Sequence, residues 1–268
     1  MLSLHRARSV SSSRPHGRAQ LSRRTVIVSA SHSEEKRVIA ICGYGPGISN
    51  SVAHLWASHG FQVALLSRTQ ARLDHGAKEI SAKGGHAKGY AVDLAKPEDV
   101  KAVLQKVSQE LGTVTVLFWN PASNDRGDVL SLDIDTIEHN LQHQVTGLLA
   151  AVQQVVPDMA SRPGSAILVT GGGLSLAAEN RALAKAANAM GGVAVAAGKA
   201  AQRALVHSLA EGLAPKGIRV AEVVVMGGVK GSASVGDRGT VLPEDVAADF
   251  WQLYTAAPDA ASVSVSRG

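Results

Sequence analysis

The sequence predicts an α/β fold: a single doubly wound domain with a mainly parallel sheet flanked by helices. Three observations carry this expectation. From Arg37 onward, short apolar runs alternate with longer segments of helical periodicity, the pattern of successive strand–helix–strand units. The first run leads directly into a glycine turn, Gly43-Tyr44-Gly45-Pro46-Gly47-Ile48-Ser49, and then into a helical pattern. The length of 268 residues suits one large domain of this kind, and no internal repeat divides it.

In chain order, apolar runs at 38–41, 62–66, 114–118, 166–169 and 218–225 read as buried strands. Helical patterns fall at about 48–59, 69–83, 97–111, 133–161 and 190–214. A last helix near 243–255 and a terminal strand near 262–266 complete the order. Two loops leave the carboxyl ends of strands, where open parallel sheets bind ligands: 171–190, and the Gly/Ser-rich segment 227–241, which reads as a mobile lid.

The amino-terminal residues have a different composition. Glu34 is the first acidic residue, and Arg6, Arg8, Arg14, Arg18, Arg23 and Arg24 precede it among many serines. This is the composition of an organelle transit peptide, so residues 1–33 are expected to be disordered and removed, with cleavage near Ser29 to Glu34. Serine richness favours a chloroplast address over a mitochondrial one. The whole chain has 27 Lys+Arg against 22 Asp+Glu; without those six arginines the balance is 21 against 22. The excess of positive charge therefore belongs to the address, and a nucleic-acid partner loses its support. Cys42 is the only cysteine, which excludes an intrachain disulfide. No apolar run reaches the roughly 18 residues of a membrane span.

Three glycines between a strand and a helix let the backbone turn tightly and approach a pyrophosphate, which then lies at the positive end of the helix. The spacing does not fit Gly-x-Gly-x-x-Gly, because Ile48 occupies the sixth position. It fits Gly-x-x-x-Gly-x-Gly, with Gly43 and Gly47 in place and Ser49 at the last position. That turn, together with Val195-Ala196-Ala197-Gly198-Lys199 on an Ala-rich helical stretch, resembles the short-chain dehydrogenase/reductase family. Further marks are Asp93-Leu94, resembling the pair that follows the family's third strand, Trp119-Asn120-Pro121-Ala122 after the run at 114–118, Gln144-Val145-Thr146-Gly147 with Pro157 and Met159, and Met226-Gly227. The likeness extends over residues 37–256 and implies a Rossmann-type domain, 34–268, that binds a nicotinamide nucleotide.

At the end of the second strand, Ser67-Arg68 stands where an acidic residue would hold the 2′-hydroxyl of NAD, and an arginine there offers a fork of donors to a 2′-phosphate. NADP(H) is the expected cofactor. The resemblance implies a binding set of Gly43, Gly45, Gly47, Ile48, Ser67, Arg68, Asp93, Leu94, Asn120 and Lys199, with the Asp93 carboxylate meeting the adenine amino group and Lys199 the nicotinamide ribose.

The same register leaves the family's reacting groups unfilled. Gly172 stands at the position of its serine, Val195 at that of its tyrosine and Gln144 at that of its asparagine; Lys199 alone remains. No tyrosine occurs between Tyr90 and Tyr254, so a shifted alignment supplies none. Ser175 and Thr170 flank the vacant serine position, and Lys185 and Asn188 follow. Hydroxyls and amides can orient a carbonyl without being able to donate a proton near neutrality. His139 and His143 lie one turn apart, but no third ligand indicates a metal. The methionines and tryptophans read as core. The reading that results is an NADP(H)-binding oxidoreductase relative with ordinary catalysis lost. Two alternatives stay open: a non-catalytic nucleotide sensor or scaffold, and a reductase using a non-standard site around Lys199 and Ser175. Any small-molecule substrate is unidentified by sequence, and a homodimer or homotetramer is expected through the Gln144 and Lys199 helices.

Overall fold

The computed structural model describes residues 37–123, 125–257 and 263–268. The expected transit peptide at 1–33 lies outside them. Seven strands form one sheet: β1 (Val38–Cys42), β2 (Gln62–Ser67), β3 (His86–Ala91), β4 (Val114–Trp119), β5 (Ala166–Gly172), β6 (Arg219–Val225) and β7 (Ser264–Arg267). Their order is β3-β2-β1-β4-β5-β6-β7, and every adjacent pair is parallel. The order reverses between β1 and β4, so a crevice opens beyond their carboxyl ends. Strands β1 and β4 are buried along their whole length, as their unbroken apolar sequences require in a sheet covered on both faces.

Among the described residues, eight α-helices cover the sheet: α1 (Ile48–Ser58), α2 (Gln70–Ala82), α3 (Pro97–Leu111), α4 (Ile134–Leu141), α5 (Gly147–Met159), α6 (Arg181–Ala189), α7 (Val193–Leu213) and α8 (Pro243–Thr255). Their starts follow from local chemistry. Pro97 opens α3 with Glu98 and Asp99 in its first turn, and Pro243 opens α8 with Glu244 and Asp245, so each carries proline where no N–H is missed and carboxylates at the positive helix end. Asp133 and Asn180 cap α4 and α6 by accepting from backbone N–H groups. Two apolar clusters pack on opposite faces of the sheet, one around Trp119, Leu148 and Val206, the other around Trp56, Phe118 and Phe250. On β6, the buried Glu222 pairs with Arg203 of α7 and accepts from Ser264 Oγ of β7 at 2.9 Å, tying three elements across the sheet's end.

Four elements differ from the sequence expectation. The single helix expected at 133–161 is divided by one π-helical turn, Gln142–Thr146, where Thr146 Oγ1 donates to the Gln142 carbonyl at 3.0 Å. Beyond this turn Gly147 lies against the Leu94 carbonyl with no room for a Cβ. The helix expected at 190–214 begins at Val193, because Gly191 takes φ 62° and stops the preceding turn. Within the expected loop at 171–190 lies α6, an Ala-rich helix capped by Asn180. The polar edge strand β3, His86–Ala91, has no apolar run to announce it.

Candidate nucleotide and ligand cleft

The glycine turn sits at the crevice between β1 and β4. Gly43 has φ 89°, and a Cβ there would lie 2.6 Å from the Asn120 carbonyl carbon, so only glycine permits this approach of the two strand ends. Serine at the last position of the glycine pattern is accommodated by new bonds. Ser49 Oγ donates to the Gly43 carbonyl at 2.8 Å and accepts from Asn120 Nδ2 at 2.6 Å, while Asn120 N–H donates to the Cys42 carbonyl at 2.8 Å. Asn120 therefore locks the turn to the end of β4.

A cleft of about 980 Å³ runs from this turn across the carboxyl edge of the sheet, at the upper end of the usual size for ligand sites. Of the nucleotide residues expected from sequence, Gly43, Gly45, Ile48, Ser67, Arg68, Asp93, Leu94, Asn120 and Lys199 line it. Gly47 caps α1 just behind the lining, facing Val229 and Ser232 of the 227–241 segment. That segment forms a wall of the cleft and is strapped by Lys230 N–H to Val241 O at 2.9 Å and Val241 N–H to Gly228 O at 3.0 Å. Asp93 spends one carboxylate oxygen on the Ala95 N–H at 3.1 Å and keeps the other.

These residues fit a nicotinamide dinucleotide. The Ser67 hydroxyl is buried without a hydrogen-bond partner, and Arg68 stands beside it at the cleft. Arg72, in the first turn of α2, lines the same end, and its Nη1 lies 3.9 Å from where a Gly45 Cβ would be. Arg72 escaped the sequence reading.

The other end of the cleft reaches Lys199. Its Nζ donates to the Thr170 carbonyl at 2.7 Å and to Gln202 Oε1 at 2.9 Å, leaving one N–H for a ligand. Burial of the ammonium lowers its pKa to about 7, against the pull of Glu222. Gly172 is extended (φ −150°), and a Cβ on it would stand 3.9 Å from Lys199 Cγ, in ordinary contact; the missing side chain would thus face the lysine. Val195 is half-buried one turn earlier on α7. Gln144 is fully buried, with Nε2 at 3.5 Å from the Pro121 carbonyl and Oε1 unpartnered.

Ser175 is buried, with its hydroxyl unpartnered, on a short 3₁₀ turn (Gly173–Leu176), and is not among the lining residues that run from Thr170 to Leu174. Thr170 lines the cleft through a buried residue whose hydroxyl is likewise unpartnered. Lys185 and Asn188 lie on the exposed side of α6. His139 and His143 both line the cleft, with ring centroids 5.1 Å apart; among the described residues no group of three or more possible metal ligands occurs. Met190 and Met226, read as core from sequence, are instead exposed at the cleft, because they fall in the breaks after α6 and β6.

An open parallel sheet with this glycine turn and cleft defines a nucleotide-binding α/β protein. The family model for short chain dehydrogenases matches residues 37–238, and the chain belongs to that family. It is 28% identical over 235 residues to the short-chain dehydrogenase/reductase eriH of Hericium erinaceus, covering 80% of this chain and 88% of that protein. It is 30% identical over 128 residues to 2-(S)-hydroxypropyl-CoM dehydrogenase 3 of Xanthobacter autotrophicus, where the match covers 48% of this chain and 50% of that protein. The chain thus spans about half the length of several curated relatives it matches. Among solved structures, a metagenomic short-chain oxidoreductase in complex with NADP superposes with a TM-score of 0.72 at 23% identity, over 87% of this chain and 97% of the other.

Proposed function

We propose that this protein is an NADP(H)-binding member of the short-chain dehydrogenase family in which the ordinary serine- and tyrosine-dependent reduction of carbonyls is lost. One observation carries the reading: a single cleft joins a complete nucleotide cradle, from Gly43 to Arg68, to a Lys199 faced by Gly172 rather than by a hydroxyl. Arg68, Arg72 and the unpartnered Ser67 hydroxyl support NADP(H) over NAD(H), since their donors exceed what a 2′-hydroxyl can use. The NADP complex of the metagenomic fold neighbour agrees with that choice. A bound nucleotide would supply hydride; the chain's own residues hold its phosphates and ribose, and nothing replaces the tyrosine as acid at Val195. The expected setting is a chloroplast, on the strength of the Arg/Ser-rich first 33 residues, and the expected assembly a homodimer or homotetramer.

A second reading is favoured by a specific observation. Lys199, with a pKa of about 7 and a spare N–H at the cleft, has the acidity to protonate an alkoxide near neutrality, which would make the protein a reductase with a non-standard site. Ser175, placed behind the cleft wall, contributes little to it. Steady-state NADPH oxidation with aldehydes, ketones and quinones separates the readings. Turnover abolished by Lys199→Ala supports the second, turnover indifferent to that change contradicts both, and nucleotide binding without turnover supports the first.

A further inference from the structure

The nucleotide uses the cations at one end of the cleft, Arg68 and Arg72. A second set lies at the opposite end, and of its members only Lys199 is also given to the nucleotide. Arg126 comes from the loop after β4, His139 from α4, His143 from the π-turn and Lys199 from α7, and all four line the cleft. The loop is pinned by the Gly127 N–H donating to the Gly191 carbonyl at 2.9 Å, which sets the Arg126 guanidinium beside Gly192, with Nη1 3.5 Å from where a Cβ there would be. Arg126 makes no hydrogen bond or ion pair among the described residues. Among the described residues the carboxylate lining this end is Asp125, already engaged by Ser123 Oγ and by Asn140 Nδ2 at 3.1 Å.

His143 gives the independent sign of a ligand. It is 6% exposed, and its Nε2 is buried with no partner. An unpaired buried nitrogen costs free energy unless something else at the site meets it. Burial, His139 and Lys199 together hold this imidazole neutral, with a pKa of about 4, while Lys199 is held near 7 and would complete its protonation if an anion entered. Arg126 and a protonated Lys199, set against Asp125, leave about one positive charge, which matches a carboxylate rather than the two charges of a phosphate. Leu174, Leu183 and Met190 supply an apolar wall at the same end.

We propose that this end of the cleft binds an organic carboxylate with a short apolar body, its head held by Arg126 and Lys199 and hydrogen-bonded by His143, and its body against Leu174, Leu183 and Met190. The inference rests on the reading of the cleft as a ligand site and names the ligand's chemical class; it does not need the nucleotide to be bound. Hexanoate and its neutral analogue hexanamide are suitable probes, titrated calorimetrically into the full chain, with NADPH titrated separately into the same preparation. Hexanoate is expected to bind at least tenfold more tightly than hexanamide. Arg126→Ala should weaken it at least tenfold and His143→Gln several-fold, whereas Arg68→Ala should leave it unchanged. Equal binding of acid and amide, absence of hexanoate binding, or loss of it in Arg68→Ala would overturn the proposal. Hexanoate binding without NADPH binding would leave the carboxylate site standing and remove the nucleotide reading; the reverse result would do the opposite.

Discussion

The two ends of the cleft treat departures from the family pattern differently. At the glycine turn, serine replaces glycine at position 49, and the change is absorbed: its hydroxyl bonds to the Gly43 carbonyl and to Asn120, so the turn is held more firmly than a third glycine would hold it. At the Lys199 end, where the proposed register sets Gly172, Val195 and Gln144 against three polar groups of the family, polar atoms stand without partners. Gln144 Oε1, Thr170 Oγ1 and Gln202 Nε2 are buried without partners, and Lys199 bonds to the protein's own Thr170 and Gln202. A region whose substitutions are compensated is one whose geometry is still used. Where they are not compensated, the old geometry has ceased to matter or another ligand has taken its place.

The largest effect expected from this contrast is on turnover. Loss of a positioned acid costs roughly 10²–10⁴-fold and of an oxyanion donor about 10²–10³-fold, so NADPH-dependent reduction of common carbonyls should lie at least roughly 10⁴-fold below that of a relative carrying both groups. The double change Gly172→Ser and Val195→Tyr is expected to restore a trace of activity. Gly172 is extended and has room toward Lys199, whose charge would lower the pKa of the new tyrosine. Steady-state kinetics of the two proteins make the comparison.

Next in size is an effect on the intact end. Gly43→Ala puts a Cβ against the Asn120 backbone at φ 89° and should cost about 1–3 kcal/mol or more in denaturant unfolding, with loss of nucleotide binding. Gly172→Ala, at the altered end, should be close to neutral, and equal costs at the two positions would erase the contrast.

A further expected effect concerns pH. The His143 pKa of about 4 in the folded protein lies below its ordinary 6.5, so between these values the unfolded chain binds a proton that the folded chain does not. Stability is therefore full above about 6.5 and should fall by about 1–3 kcal/mol as the pH drops toward 4. The groups acting on the imidazole are His139, Lys199 and Asp125. His143→Gln should flatten this part of the profile, as thermal unfolding at several pH values would register.

The sequence made the buried strands and the nucleotide cradle legible, because both depend on short local patterns: unbroken apolar runs for a sheet covered on both faces, and a glycine turn followed by a helix. The resemblance paired the positions of Gly172 and Lys199, and a Cβ on Gly172 would lie 3.9 Å from Lys199 Cγ. The Lys199 end was otherwise hidden. His143 looked like one member of a helical histidine pair, and only the π-turn and the fold of α7 across it turn that ring into the cleft wall. Arg126 and Met190 sit in segments without periodicity, where no pattern indicates direction. The exposed edge strand β3 and the Ala-rich α6 lacked the apolar spacing that marks buried elements.

The most direct test of the account is a fluorescence titration of the full chain with NADPH and with NADH, repeated for Arg68→Ala. NADPH is expected to bind at least tenfold tighter than NADH, about 1.4 kcal/mol, with most of that preference gone in the variant. Equal affinities in the parent protein, or no binding of either nucleotide, would contradict the claim that the cradle end of the cleft has been kept for NADP(H).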